Sequence, residues 1–190
     1  MVQEKSQLDD ADLVARAMEE LPYVTRSYQV LAGRYYPLLL RYCINMLREQ
    51  AEAEDACQVI LLKVFRGLPR FQGRSSFKTW LFKIAANTCY SQMQKLKRER
   101  ERFARLDRET LDSTVETNPT NFQTLRKDKF ENMIESLSEQ EQHLLGLRFL
   151  GELSLDEIAE IMGMGLSATK MRFYRALKKL GPQLERDEIE

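Results

Sequence analysis

Between Phe65 and Trp80 the chain interleaves aromatic rings with cations: Phe65, Phe71, Phe77 and Trp80 alternate with Arg66, Arg70, Arg74 and Lys78. A ring offers a face on which a displaced nucleobase can stack, for about 1–3 kcal/mol per base, while a neighbouring cation holds the adjoining phosphate. Unstacking a base costs a few kcal/mol. Two or three such contacts could therefore capture an opened strand but could hardly melt many base pairs. Phe77 and part of Trp80 are expected to belong to a core, whereas Phe71 and residues 73–76 read as loop. A second candidate lies near the C-terminus, where residues 163–180 hold Lys170, Arg172, Arg175, Lys178 and Lys179 and no acid. On a helix, Met171, Arg175 and Lys178 fall opposite the apolar set Leu166, Thr169, Phe173, Ala176, Leu177 and Leu180, with Tyr174 and Lys179 flanking them. A basic outer face of this kind suits the major groove of duplex DNA.

Catalysis finds little support in the same residues. His143 is the only histidine, and no second metal-ligand type stands near it at ligand spacing. It reads as a structural side chain, at the surface or half-buried. There is no Gly-rich phosphate loop, so neither a catalytic residue nor a metal or other cofactor is expected.

Helices must position these groups, because helical periodicity dominates and no alternating strand pattern appears. An acidic helix is predicted over roughly 8–20. A second segment spans Tyr28 to Leu47, with Pro37 expected to kink or restart it. A third runs from about Glu52 to Leu68, and a fourth from Phe77 to near Arg102. In that fourth helix Phe77, Leu81, Ile84, Ala85 and Thr88 share one face, while Trp80, Lys83, Asn87 and Gln94 lie on another. Two Ser-x-x-Glu capping boxes follow, Ser138 with Glu141 and Ser154 with Glu157. The first predicts a helix to about Leu150, ended by Gly151. The second predicts a short helix to Met162, ended by Gly163 in the left-handed conformation. Ser167 is then expected to cap a longer helix reaching Leu180, and the pair forms a helix-turn-helix.

Composition agrees with this picture. The 190 residues carry 29 Lys plus Arg and 29 Asp plus Glu, yet the charge is segregated. Residues 1–20 hold two cations against six acids, and residues 91–108 hold seven cations against three acids. Two separated basic segments suit two contacts with one polyanion. Residues 107–123 turn polar, interrupted by Pro119, and mark the domain boundary. Cys43, Cys57 and Cys89 are odd in number and not closely paired in sequence, as expected of reduced intracellular thiols. No apolar run approaches the roughly 18 residues of a membrane span. Asp9, Asp10 and Asp12 stand where a signal peptide would need a basic and then an apolar stretch, so a cytoplasmic location is expected.

Taken together, three motifs resemble those of extracytoplasmic-function (ECF) sigma factors, the minimal two-domain members of the sigma-70 family. They are Asp55-x-x-Gln58, then Phe71-x-Gly73-x-Ser75-x-Phe77-x-Thr79-Trp80-Leu81-x-x-Ile84-Ala85-x-Asn87, then Arg172-x-x-Arg175-Ala176-Leu177. The segments 77–81 and 164–172 are most similar to the SigX type. The resemblance implies an all-α chain with a sigma region 2 bundle over 1–102, a flexible linker over 103–123 and a sigma region 4 helix-turn-helix over 124–190. It further implies a factor that directs bacterial RNA polymerase core to promoters. Asp55, Gln58 and Lys63 would meet the clamp helices of the largest subunit. Phe71, Gly73, Arg74, Ser75, Ser76, Trp80, Lys83 and Asn87 would bind the opened −10 element. Lys170, Met171, Tyr174, Arg175 and Lys178 would read the −35 element, with region 4 lying against the flap of the second-largest subunit. An anti-sigma factor is a frequent further partner in this family, and direct membrane insertion is not expected. Two positions depart from the family pattern. Val59 replaces an acid on the polymerase-facing helix, and Met171 stands where a small or polar residue is common. A stand-alone helix-turn-helix regulator is the alternative, but it leaves the 71–87 segment without a role.

Overall fold

A computed structural model describes residues 8–109 and 137–187. Seven α-helices occupy them: α1 (Asp10–Glu20), α2 (Arg26–Leu47), α3 (Gln50–Gly67), α4 (Phe77–Glu109), α5 (Glu139–Phe149), α6 (Leu155–Met162) and α7 (Leu166–Asp187). A 3-10 turn, Leu68–Arg70, follows α3. No strand occurs among the described residues. The helical resumption expected over 124–135, and most of the 103–123 linker, lie outside them.

The first four helices form a bundle. Asp9 caps α1 by accepting from the Asp12 N–H at 2.8 Å. Asp10 binds the Arg34 guanidinium and the Tyr35 hydroxyl, which fixes α1 against α2. Pro37 does not interrupt α2, which runs unbroken through it. The carbonyl deprived of its donor belongs to Gly33, one turn back, and both Gly33 and Pro37 face solvent. A hydrogen bond lost on the wet side of a helix is the least costly kind, and the ring meets no packed neighbour there. Helix α3 buries Ala53, Ala56, Cys57, Ile60 and Val64 as one stripe. The predicted face of α4 is inside: Phe77, Leu81, Ala85 and Thr88 are buried and Ile84 is half-buried. The helix continues to Glu109, beyond the predicted end near Arg102.

All three thiols meet in this bundle. Cys43, Cys57 and Cys89 are free and buried, and the Cys89 Sγ lies 3.5 Å from the Cys43 Sγ. The Cys43 contact and burial push the Cys57 thiol well above the ordinary range; at Cys43 the contact with Cys57 acts downward, but Cys89 and burial together carry that thiol well above it too. They are unreactive core groups.

Both capping boxes form. The Ser138 N–H donates to Glu141 Oε2 at 2.8 Å, and the Glu141 N–H returns to Ser138 Oγ at 3.3 Å. The Ser154 N–H donates to Glu157 Oε2 at 2.9 Å, and the Glu157 N–H returns to Ser154 Oγ at 3.2 Å. Gly163 ends α6 at φ 63°, the left-handed region that favours glycine. Ser167 is not a cap: α7 begins one residue earlier, at Leu166, and the Gly165 carbonyl receives the Thr169 N–H at 3.0 Å. The Thr169 hydroxyl also donates to that carbonyl, at 3.1 Å. Replacing Ser154 with alanine is expected to cost about 1 kcal/mol, read as a lower urea midpoint at unchanged m-value.

Local patterning did not reveal how the helices of 137–187 sit against the bundle. Leu144, Leu147, Leu153, Ile158, Ile161 and Phe173 belong to the same buried cluster as the cores of α1–α4. The Tyr42 and Phe82 rings meet edge-to-face at 5.7 Å on the bundle side of the seam. Two glycines line the seam. A Cβ on Gly146 would lie 3.3 Å from the Tyr42 ring and 3.2 Å from Asn45 Nδ2, whereas one on Gly151 would first meet the Leu147 carbonyl of its own half at 2.7 Å and then Phe82 at 3.1 Å.

Candidate nucleic-acid interface

The aromatic loop is held from both ends. Leu68 anchors its start in the core, and α4 begins at Phe77, buried as expected at 7% exposure. Gly73 takes φ 65°, so the loop turns where a side chain would be strained. Phe71 and Trp80 are each half-buried and stack at 5.0 Å, tilted by 45°. Phe77 supports both, at 6.4 Å from Phe71 and 6.0 Å from Trp80. Trp80 in turn packs on Gly67, where a Cβ would come within 3.1 Å of the indole. Phe71 and Trp80 thus form a shelf with partly open faces, and Phe77 is its floor. Beside the shelf, a cavity of about 470 Å³ opens toward α1, lined by Asp10, Val14, Phe71, Ser75, Phe77 and Lys78 among others. Arg74 and Ser76 are exposed on the loop, and Lys83 and Asn87 are exposed further along α4, on the face of Trp80.

The helix-turn-helix presents its outer face as expected. Thr169, Phe173 and Ala176 are buried, while Lys170, Arg175 and Lys178 are exposed. Met171 and Tyr174 project with 65% and 64% exposure. The cations of this segment divide into two groups. Arg172 turns inward to Gln140 and to Met164 Sδ. Lys179 donates to both oxygens of Glu141 at 2.8 Å. Burial alone would raise the Glu141 carboxyl, but Lys179 and the Ser138 N–H and hydroxyl hold it below its ordinary value. Lys170, Arg175 and Lys178 have no partner among the described residues, so their charge is open to a phosphate or a base edge.

On α3, Asp55 and Gln58 are exposed, whereas the Lys63 ammonium is partly engaged, donating to Thr88 Oγ1 at 2.9 Å. Val59 and Leu62 are exposed beside them, at 44% and 48%. Sequence reasoning singled out Val59 only as a departure and passed over Leu62. Both fall off the stripe Ala56, Cys57, Ile60, Val64, which is the signal that could have found this apolar patch. His143 is half-buried, as its surroundings in sequence implied, with its ring 6.2 Å from Tyr42. Its Nε2 and the Tyr42 hydroxyl are buried without hydrogen-bond partners. No group of His, Cys, Asp and Glu able to hold a metal occurs among the described residues, and no helix among them is long and apolar enough to cross a membrane.

An aromatic shelf and a helix-turn-helix with an open basic face define an all-helical nucleic-acid-binding protein. The family models make this specific: Sigma-70 region 2 matches residues 31–99, and Sigma-70, region 4 matches residues 127–180. The chain belongs to the sigma-70 family and is an ECF RNA polymerase sigma factor. It is 29% identical over 167 residues to RNA polymerase sigma factor YlaC of Bacillus subtilis, covering 86% of this chain and 95% of that one. To ECF sigma factor SigX of the same organism it is 25% identical over 169 residues, covering 86% and 87%. The SigX type is therefore not singled out. Among solved structures it resembles the sigma factor RpoE of Bartonella quintana, crystallised with the anti-sigma factor NepR, at TM-score 0.59 and 27% identity, over 80% of this chain and 95% of that one. The region 2 match contains the shelf, which a stand-alone helix-turn-helix regulator would not require.

Proposed function

We propose that the two faces described above divide promoter recognition between them. Lys170, Met171, Tyr174, Arg175 and Lys178 read the duplex −35 element in the major groove, with Met171 placed for a thymine methyl and Arg175 for a guanine. Phe71, Gly73, Arg74, Ser75, Ser76, Trp80, Lys83 and Asn87 hold the opened −10 strand by stacking and phosphate contact. Asp55, Gln58 and Lys63 dock on the clamp helices of the largest polymerase subunit, with Val59 and Leu62 adding apolar area in place of an acid. Region 4 lies against the flap of the second-largest subunit. The protein works in the cytoplasm by binding alone, without a reaction or cofactor of its own, and an anti-sigma factor of the kind bound to the RpoE relative is a further partner. The domains are those read from the sequence, 1–102 and 124–190 with a tether between, so that two weak contacts on one DNA multiply.

The carrying observation is the pairing of Lys170, Arg175 and Lys178, exposed on one face without a partner among the described residues, with the open Phe71–Trp80 shelf in the other half. In vitro transcription with purified polymerase core and a genomic fragment library is expected to give initiation above background. Arg175→Ala should weaken −35-dependent initiation by about 1–3 kcal/mol, roughly five- to 150-fold. Trp80→Ala and Asn87→Ala should chiefly reduce open complexes, seen as weaker permanganate reactivity at −10. Unchanged footprints in both variants would remove the shelf from promoter opening.

A further inference from the structure

Met93 and Leu96 are the last described side chains of α4 that pack on the core. Residues 97–102 then read Lys-Arg-Glu-Arg-Glu-Arg, and residues 95–102 hold five cations against two acids. The helix nonetheless runs on to Glu109. A helical stretch that is polar all round relies on i,i+4 pairs, each contributing little. Among the described residues one such pair forms here, Lys95 with Glu99 at 3.9 Å. Lys97 is engaged by Glu139 at 3.4 Å. Arg98, Arg100 and Arg102 are exposed, with no ion pair among the described residues. Their charge does little for the fold and is open to a partner.

Their placement says which partner. At about 100° per residue, Arg98 and Arg102 fall on the stripe that starts at Trp80 and passes through Asn87 and Ser91. Arg100 points to the opposite side, and Glu101 stands at the edge of the stripe, about 60° away from Arg98. Asn87 and Ser91 are exposed, but the Ser91 hydroxyl is spent on the Asn87 carbonyl at 2.9 Å. Gln94 is likewise taken, by Glu139 at 3.3 Å. The two arginines thus prolong the face of Trp80 and Asn87 in one line. With a rise of 1.5 Å per residue, they stand about 17 and 22 Å beyond Asn87. Along duplex DNA at 3.4 Å per base pair, that is about five to seven pairs.

We propose that Arg98 and Arg102 hold the phosphate backbone of the duplex on the upstream side of the opened −10 strand, inside the interval between the two promoter elements. The position rests on the reading of Trp80 and Asn87 as part of the −10 site. The direction follows from chain order, because the end of α4 leads through residues 110–136 to the helix-turn-helix assigned to −35. Each guanidinium offers a planar fork that matches two phosphate oxygens. The six residues 97–102 present no apolar side chain, so a polyanion suits this stretch and a protein groove does not. Contacts to phosphate fix register and carry no sequence information. The duplex beside the fork is gripped in this way whatever its bases, while −10 and −35 alone supply specificity.

Holoenzyme assembled from the full chain and polymerase core tests this, with promoter affinity measured across a series of salt concentrations. Arg98→Gln and Arg102→Gln are each expected to lower the slope of log K against log salt by about one, and the double variant by about two. The loss should be the same on promoters that differ in spacer sequence. Arg100→Gln, on the opposite side of the helix, should leave the slope at the wild-type value. Neutral methylphosphonate linkages placed about five to seven pairs upstream of the −10 contact should weaken wild type and leave the double variant unaffected. An unchanged slope in the double variant overturns the proposal, and so does an equal fall in Arg100→Gln, which would reflect net charge alone. Loss of affinity for polymerase core without DNA also overturns it, by making the stretch a polymerase contact. If the slope falls as expected while Trp80→Ala still opens promoters normally, the phosphate contact stands, a scan of the neutral linkage gives its place, and the −10 assignment falls instead.

Discussion

Phe82→Ala is expected to destabilise the protein by about 3–5 kcal/mol, the usual cost of emptying a fully buried phenylalanine. Phe82 has no exposed surface, meets Tyr42 edge-to-face, and forms the floor on which Gly151 rests. The void would open where helices of both halves meet, so collapse from one side alone could not fill it. Domains of this size retain about 5–15 kcal/mol in total, so the loss is a large fraction. Urea unfolding followed by circular dichroism measures it. A cost below about 1.5 kcal/mol, the level of a partial deletion such as isoleucine to valine, would mean that the seam is loosely packed.

Stability should also fall as pH drops from about 6.5 to about 4, and His143 should account for most of that fall. Burial holds its imidazole down at about 4, against an ordinary 6.5. Between those values the unfolded chain carries the proton and the folded chain does not, so acid favours unfolding. The slope is at most about 1.4 kcal/mol per pH unit. Above 6.5 the contribution is fully present. The Glu141 and Glu157 carboxyls are shifted below 4.5, so their contribution is present above that pH and is lost only as pH falls further. His143→Leu should therefore flatten the profile between 6.5 and 4.5 and leave the steeper acid limb. Urea midpoints at four or five pH values measure this. An unchanged slope in the variant would place the titrating group elsewhere.

The sequence made the elements legible wherever a local rule had a single solution. Ser154, Glu157 and Gly163 specify a helix of fixed length, and the α6–α7 turn follows. The faces of α4 and α7 follow from 3.6-residue periodicity, which is why Phe77 and Phe173 are inside and Arg175 outside. Failures arose where context chose between local options. Pro37 could be tolerated because Gly33 happens to face solvent, and Ser167 is not the cap because the helix already starts at Leu166, with Gly165 flanking it. The partition of the basic segment, with Arg172 and Lys179 turned inward, depends on Gln140 and Glu141 arriving from another helix. The seam itself left one trace, a glycine inside a helix, and nothing local says what that glycine lies against. Likewise the three cysteines, far apart in sequence, give no hint that their sulfurs gather in one core.

One shared core has a consequence for how promoters are measured. Elements centred at −10 and −35 are separated by about 25 base pairs, or about 85 Å at 3.4 Å per pair. A compact body of the 153 described residues has a radius of gyration of about 15 Å, hence a width near 40 Å. Packed as they are, the described residues span about half of that interval. The packed arrangement is therefore too short to place the proposed −10 and −35 faces on both elements at once.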